Sequence, residues 1–214
     1  MNYTKTIREY CLQNKGDIFD VSYMGDKYFE MVPYKTLLKI LNRLEEDGIL
    51  TCIAKGVYFI NKEGVCVDDA IIERYISNNH GMYGGYTLFN NLGITEQRTE
   101  YIEIYTNRIC MQTKTIGKYQ LIRVDTTFSS PIVEMITLMD CIENGIKYDD
   151  VNVMRLHEAI DRFARQYNDI MFGFAIEAMH YHYSSVLTLI NHLDRLGIRN
   201  NCIAVFEKMN PKRK

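Results

Sequence analysis

The chain has 214 residues and lacks any apolar run approaching the roughly 18 residues that suggest a membrane-spanning helix. Its first ten residues, MNYTKTIREY, do not have the pattern of a signal peptide. These two absences predict a cytoplasmic protein with no membrane partner.

The cysteines show neither a CxxC pair nor a regular spacing, although the chain contains six of them. This pattern argues against a disulfide framework and against a structural zinc site. Cys52 and Cys202 lie among apolar residues, where a free cysteine behaves as a small hydrophobic residue. We therefore expect both to be buried.

The common catalytic signatures are also missing, because the chain has no P-loop, GxGxxG, GxSxG or HExxH pattern. His180 and His182 are two residues apart in a segment that looks helical, so they are expected to face different directions. The pairs Asp68-Asp69 and Asp149-Asp150 precede predicted helices, where capping explains them. The sequence thus predicts no enzyme, no cofactor and no metal site. A nuclease that uses these carboxylates stays an alternative.

The overall charge is slightly negative, at −2 with a pI near 6.2. Any nucleic-acid site must therefore be local, because the surface as a whole is not basic. With 47% apolar and 24% charged residues the chain is a folded globular protein of one or two domains.

The stretch 32–60 predicts one helix, beginning with Pro33 in its first turn and stopped by Gly48. At 100° per residue one arc of this helix is apolar and composed of Leu37, Leu38, Ile40, Leu41 and Leu44. The opposite arc carries basic and polar side chains, namely Lys35, Thr36, Lys39, Asn42 and Arg43. The first arc is expected to face the core and the second to face solvent.

Two short β-rich runs follow this helix, over residues 49–54 and 57–60, and Lys55-Gly56 joins them as a tight hairpin. A helix followed directly by a hairpin with a lysine at its tip is typical of a winged helix-turn-helix. In such a protein the polar helix face enters the major groove and the wing reaches the phosphates.

The remaining pattern predicts an α+β protein, with a winged helix-turn-helix domain over 1–62 and a mixed α/β domain over 63–214 that ends in helices. Residues 3–14 predict the first helix, and 19–24 fit either a second helix or a short strand. Further predicted elements are helices at 67–77 and 86–91, a strand at 99–106, a hairpin of 108–115 with 118–124, and three helical stripes after Pro131. Lys114, Lys118 and Arg123 on the hairpin fit either a solvated face or a second basic strip.

The order of residues in 15–125 resembles the AbiEi-type antitoxins, the transcriptional-regulator half of type IV toxin–antitoxin modules. The first match is a helix that ends in Arg43-Leu44, followed by Gly48, a strand and the turn 55–58, Lys-Gly-Val-Tyr. The second is the run that begins at Gly85, continues through Leu-Gly-Ile-Thr-Glu-Gln at 92–97 and ends in the strand that leads to Asn107.

This resemblance implies an autorepressor that binds double-stranded DNA in its own promoter, and an antitoxin that counters a nucleotidyltransferase-type toxin in phage defence. It implies DNA contacts by Tyr34, Lys35, Thr36, Lys39, Asn42, Arg43 and Lys55. The alternatives are a stand-alone regulator or a protein-interaction module on a winged-helix scaffold, which the acidic run 45–47 favours.

Overall fold

The computed structural model describes residues 2–147 and 150–209, and within them the chain is α+β, with 51% helix and 14% strand. In chain order the elements are α1 (Tyr3–Gln13), β1 (Ile18–Asp20), α2 (Val21–Lys27), α3 (Tyr34–Glu46), β2 (Leu50–Ala54), β3 (Val57–Ile60), α4 (Val67–Tyr75), β4 (Gly81–Tyr83), α5 (Gly85–Asn91), β5 (Ile102–Thr106), β6 (Thr113–Ile116), β7 (Tyr119–Arg123), α6 (Ser130–Asn144), α7 (Val153–Ala164), α8 (Asp169–Ala178), α9 (Tyr183–Arg195) and α10 (Cys202–Met209).

The strands form two small sheets, one with the order β1-β3-β2 and one with the order β4-β5-β7-β6. Two compact units make up the chain: residues 1–81 with 104–123, and residues 82–103 with 124–214. The predicted boundary after residue 62 lies inside the first unit, and the separate folding of residues 1–62 stays a prediction. None of the helices in the described part of the chain has the length and apolar character needed to cross a membrane.

The core of the first unit forms where α1, α2 and α3 pack on the inner face of the β1-β3-β2 sheet. Ile7 and Cys11 of α1 and Phe19 of β1 are fully buried there. The rings of Phe19 and Phe29 stack with their centroids 5.8 Å apart. Residues 19–24 fitted either a strand or a helix in the sequence, and they contain part of each. Strand β1 ends at Asp20, and Asp20 is also the N-cap of α2.

Helix α3 ends at Glu46, with Asp47 as its C-cap, and Gly48 follows as the predicted stop. The Gly48 N–H donates to the Glu45 carbonyl and the Ile49 N–H to the Leu44 carbonyl, both at 2.9 Å. This pair of bonds requires a left-handed residue, and Gly48 has φ of 72°. The chain changes direction at Gly48, and β2 begins two residues later, at Leu50.

The outer face of the same sheet is also covered. All four residues of β3 are buried, and the outward-facing Val57 and Phe59 are 0% and 6% exposed. Helix α4 packs against β1, and β6 packs against β2. Residues beyond position 62 therefore complete the core of the first unit.

The second unit is built around α6, which packs against α5, α7, α8 and α9. Its inward residues include Met135, Ile136 and Met139, as the first predicted stripe requires. In the second stripe Leu156 and Ile160 are buried, whereas Val153 is 57% exposed and Tyr167 lies beyond the end of α7. The expected inward direction of Val153 is thus wrong.

Candidate nucleic-acid interface

The predicted division of α3 into two faces is present. Leu37, Ile40, Leu41 and Leu44 are buried, and Leu38 is half-buried. On the opposite side Lys35, Lys39, Asn42 and Arg43 are exposed, and Thr36 is half-buried near the helix start. Tyr34, the first residue of α3, is 59% exposed. Pro33 is the N-cap of α3 instead of its first helical residue.

Within residues 2–147 and 150–209, the cations of this face have no side-chain partner. Among the residues that the structure describes, no hydrogen bond or ion pair involves the side chains of Lys35, Lys39 or Arg43. Lys55, at the turn between β2 and β3, is also exposed and has no such partner in the described ranges. An unpaired exposed cation keeps its full charge available to a phosphate or a base edge.

Several other cations of the first unit have acidic partners. Arg8 bonds Asp47 at 2.5 Å, Lys114 bonds Asp20 at 2.7 Å, and Lys118 bonds Asp68 at 2.5 Å. The cations of α3 and Lys55 thus differ from these three in having no acidic partner among the described residues.

Contacts of the hairpin cations argue against one of the two alternatives for them, a second basic strip. The Lys114 side chain is only 11% exposed in its pair with the buried Asp20. Lys118 holds Asp68 in the first turn of α4 and lowers the pKa of that carboxyl through the hydrogen bond. The Arg123 guanidinium donates to the Cys110 carbonyl at 2.9 Å. These three cations hold the first unit together instead of forming a free basic strip.

Asn42 is joined to the hairpin by a contact that the sequence did not indicate. The hydroxyl of Tyr58 on β3 donates to the Asn42 amide oxygen at 3.3 Å. Tyr58 is 6% exposed, and burial is the main cause that raises the pKa of its phenol. The tyrosine was visible in the sequence only as part of the turn 55–58, and its 16-residue separation from Asn42 gave no signal of contact.

Two of the three carboxylates in the acidic run 45–47 accept hydrogen bonds from other groups of the first unit. Glu45 accepts the backbone N–H of Cys52 at 3.0 Å, and Asp47 accepts from Arg8. Glu46 is exposed on the last turn of α3 and has no partner in the described part of the chain. The carboxylates at 45 and 47 therefore tie α3 to β2 and α1.

A polar cluster surrounds the buried Tyr23 of α2. The guanidinium carbons of Arg74 and Arg108 lie 5.1 Å and 5.6 Å from the Tyr23 ring centroid. Arg108 also donates to the Tyr23 hydroxyl at 2.5 Å and bonds His80. Burial and the Arg108 charge lower the pKa of His80, which favours the neutral form of this histidine. The cluster is structural, since it joins α2, α4 and the segment after β5.

The aspartate and histidine candidates are placed differently from prediction. Asp68 and Asp69 lie within the first turn of α4, whose N-cap is Cys66, so neither of them caps the helix. Residues 180–182 are not helical, which corrects the expectation for that segment. Glu143 accepts from the His182 backbone N–H at 2.9 Å and bonds its ring, at the start of α9. Among the described residues no three acidic, histidine or cysteine side chains are grouped to hold a metal ion. Asp149 lies outside the described residues.

The cysteine expectation is right for Cys202, which is fully buried, and wrong for Cys52, which is exposed on β2. The apolar neighbours of Cys52 did not reveal this exposure, and neither does strand alternation, because Cys52 lies on the same face of the edge strand β2 as the buried Leu50, two residues earlier.

No model of a known protein family matches this chain, and no curated protein sequence matches it.

Proposed function

We propose that residues 1–62 are a winged helix-turn-helix that binds double-stranded DNA. The observation that carries this proposal is the exposed face of α3. Lys35, Lys39 and Arg43 project from it without a hydrogen-bonding or acidic partner among the described residues. Three exposed cations on one helix face attract the phosphate backbone of DNA.

The order of elements supports the same proposal. A helix, a strand and two further helices precede the hairpin, and the sheet order β1-β3-β2 sets the hairpin beside the short first strand. This is the arrangement expected of a winged helix. Lys55 at the hairpin tip is then the wing residue that contacts phosphate.

The side chains divide by chemistry into two roles. A guanidinium matches the O6 and N7 acceptors of guanine, and an amide matches a purine edge, so Arg43 and Asn42 read bases. Lys35, Lys39 and Lys55 bind phosphates and set the position of the helix. Tyr34 and Thr36, at the start of α3, contact the DNA backbone through their hydroxyl groups.

The biological role that we propose is that of a cytoplasmic autorepressor and antitoxin of a type IV toxin–antitoxin module. This part rests on the resemblance of residues 15–125 to the AbiEi-type antitoxins. The protein then represses its own promoter through α3, and residues 63–214 counter a nucleotidyltransferase-type toxin. We propose no enzymatic activity and no cofactor.

A reporter assay tests the regulatory part. The upstream region of the gene is fused to a reporter, and the protein is supplied from a second promoter. We expect repression by the wild type and its loss with Arg43→Ala, while Arg199→Ala, an exposed change in the second unit, keeps it. Equal reporter activity with and without the protein contradicts autorepression.

Growth measurements test the antitoxin part. The reading frame next to this gene is induced alone and together with the protein. Growth arrest that the protein relieves supports the proposal, whereas arrest that it does not relieve contradicts it.

A protein-interaction module is the second candidate, and exposed apolar side chains on the helices of the second unit favour it. Ile170 and Phe174 lie one turn apart on α8 and are 65% and 48% exposed. Tyr183 and Leu187 are similarly placed on α9. The acidic run 45–47 adds little to this candidate, because Glu45 and Asp47 have partners within the first unit. A gel-filtration shift with a partner protein, without retention on DNA, supports it.

A further inference from the structure

The contact between Tyr58 and Asn42 determines which side of the Asn42 amide is available to a ligand. Asn42 is exposed on α3, and its amide oxygen accepts the Tyr58 hydroxyl hydrogen at 3.3 Å. The oxygen and nitrogen of a carboxamide lie on opposite sides of the same carbon. With the oxygen held toward β3, the NH2 group is directed away from Tyr58.

Tyr58 is well suited to hold this orientation. Its ring is buried in the core between α3 and the sheet, and its backbone pairs with Phe19 on one side and Cys52 on the other. A side chain fixed in this way has lost its rotamer freedom on folding, so its hydroxyl is available at one place. The neighbouring bond from the Cys52 N–H to Glu45 fixes the same turn of α3 against β2.

We propose that Tyr58 is a positioning residue that makes Asn42 a hydrogen-bond donor toward DNA, and that Asn42 therefore recognises a purine through an acceptor in the major groove. This inference rests on the proposed DNA binding by α3. The acceptors of that kind are N7 of either purine and O6 of guanine. An asparagine without such a restraint bonds adenine with both its oxygen and its nitrogen. Here the oxygen faces Tyr58, and the NH2 group, which is directed away from Tyr58, reads the base.

The experiment uses the full-length protein and a labelled duplex from its own upstream region, with fluorescence anisotropy as the readout. Each purine of the bound region is replaced in turn by its 7-deaza analogue, which removes the N7 acceptor and keeps the Watson–Crick edge. We expect at least one position at which this replacement weakens wild-type binding by about tenfold, the size of one lost hydrogen bond.

The variants separate positioning from stability. With Tyr58→Phe the amide is free to bond adenine with both its oxygen and its nitrogen. Removal of the adenine N6 amino group, which should leave wild-type binding unchanged, should then weaken binding by about threefold, while the 7-deaza penalty remains. Asn42→Ala should abolish the same penalty, and Tyr58→Phe should add nothing to it in that background. Tyr3→Phe, a half-buried tyrosine of α1, should leave the penalty unchanged. A variant that loses its fold binds the modified and the unmodified duplex equally weakly. Misfolding therefore does not produce a penalty that changes at one base position.

Three results overturn the inference. If Tyr58→Phe stays insensitive to removal of every adenine N6 amino group, the tyrosine does not position the amide. A wild-type protein that responds instead to removal of an exocyclic amino group, such as N6 of adenine, presents its amide oxygen to the base. Equal binding of the upstream duplex and a scrambled duplex overturns the proposed function together with this inference, whereas the first two results overturn the inference alone.

Discussion

Single side chains carry the charge that distinguishes α3 from the rest of the first unit. Lys35, Lys39 and Arg43 are exposed and lack partners in the described ranges, whereas Arg8 and Lys114 are held by carboxylates. The pairing matters more than the number of lysines, because a neutralised cation contributes little to counterion release.

Lys39→Ala should weaken the binding of all duplexes to a similar extent. Lys39 is assigned to a phosphate, so its loss should also lower the slope of log affinity against log salt by about 0.9. Anisotropy titrations across a salt series measure both quantities, with Lys208→Ala on α10 as the control. A change in sequence preference without a change in slope contradicts the phosphate assignment.

Lys114→Ala should destabilise the protein by about 3 kcal/mol, at the lower end for a broken buried ion pair. Asp20 is 1% exposed and loses its cation, although it keeps the backbone N–H groups of Ser22 and Tyr23. Lys118→Ala, on the same hairpin, breaks an exposed pair and should have a much smaller effect. Urea denaturation of both variants measures the difference, and equal loss in the two contradicts the structural role of Lys114.

At the scale of elements, the backbone of β4 begins very close to the backbones of α4 and β5. Gly81 begins β4, and a Cβ built there lies well inside van der Waals contact with the carbonyl oxygens of Tyr75 and Tyr105. Both obstacles are backbone atoms, which cannot move without displacing the end of α4 or β5. A glycine is therefore required where these elements meet.

Gly81→Ala should cost about 1–3 kcal/mol, the usual range for forcing extra atoms into a packed site. Gly25→Ala is the matched control, because Gly25 lies in α2 and its nearest atom, on the Leu37 side chain, is 3.8 Å from the added Cβ. An alanine within a helix stabilises by about 0.5–1 kcal/mol relative to glycine. Thermal or urea melts that show the opposite order contradict this packing.

The elements that the sequence predicted best are those bounded by glycine or those with a clear apolar stripe. Helix α3 and the β2-β3 hairpin are bounded by Gly48 and Gly56, and they agree with prediction within one residue at most of their ends. Strand β4 was missed, because three residues show no alternation. Helix α8 was missed because its sequence, DIMFGFAIEA, is apolar on most sides and has no stripe.

The candidate site was predictable as a set of positions and not as a set of contacts. The helical period placed Lys35, Lys39 and Arg43 on one exposed face. The bond from Tyr58 to Asn42 and the pair of Lys114 with Asp20 join residues 16 and 94 positions apart. Such contacts depend on tertiary packing, which a single sequence does not specify.

At the scale of the whole molecule, the proposed DNA-binding residues belong to a larger unit than the predicted domain. Ile18, Val57 and Phe59 on the outer face of the sheet are almost completely buried. Each fully buried large apolar side chain stabilises by about 1.5–3 kcal/mol. Their combined contribution is comparable to the total stability of a small domain, about 5–15 kcal/mol.

A fragment of residues 1–62 should therefore be much less stable than the first unit. We expect it to lack a cooperative melt, whereas a chain of residues 1–123 with 82–103 replaced by a short Gly-Ser linker should keep one. Circular dichroism during heating compares the two. A sharp melt of residues 1–62 alone supports their separate folding and contradicts the importance of the outer face.

The most direct test of DNA binding through α3 is the anisotropy of the full-length protein with a duplex from its own upstream region and with a scrambled duplex, across a salt series. We predict tighter binding to the native duplex, a steep dependence on salt, and loss of the preference in Arg43→Ala. If the protein binds neither duplex at low salt, or binds both equally with and without Arg43, then α3 is not a DNA-reading helix.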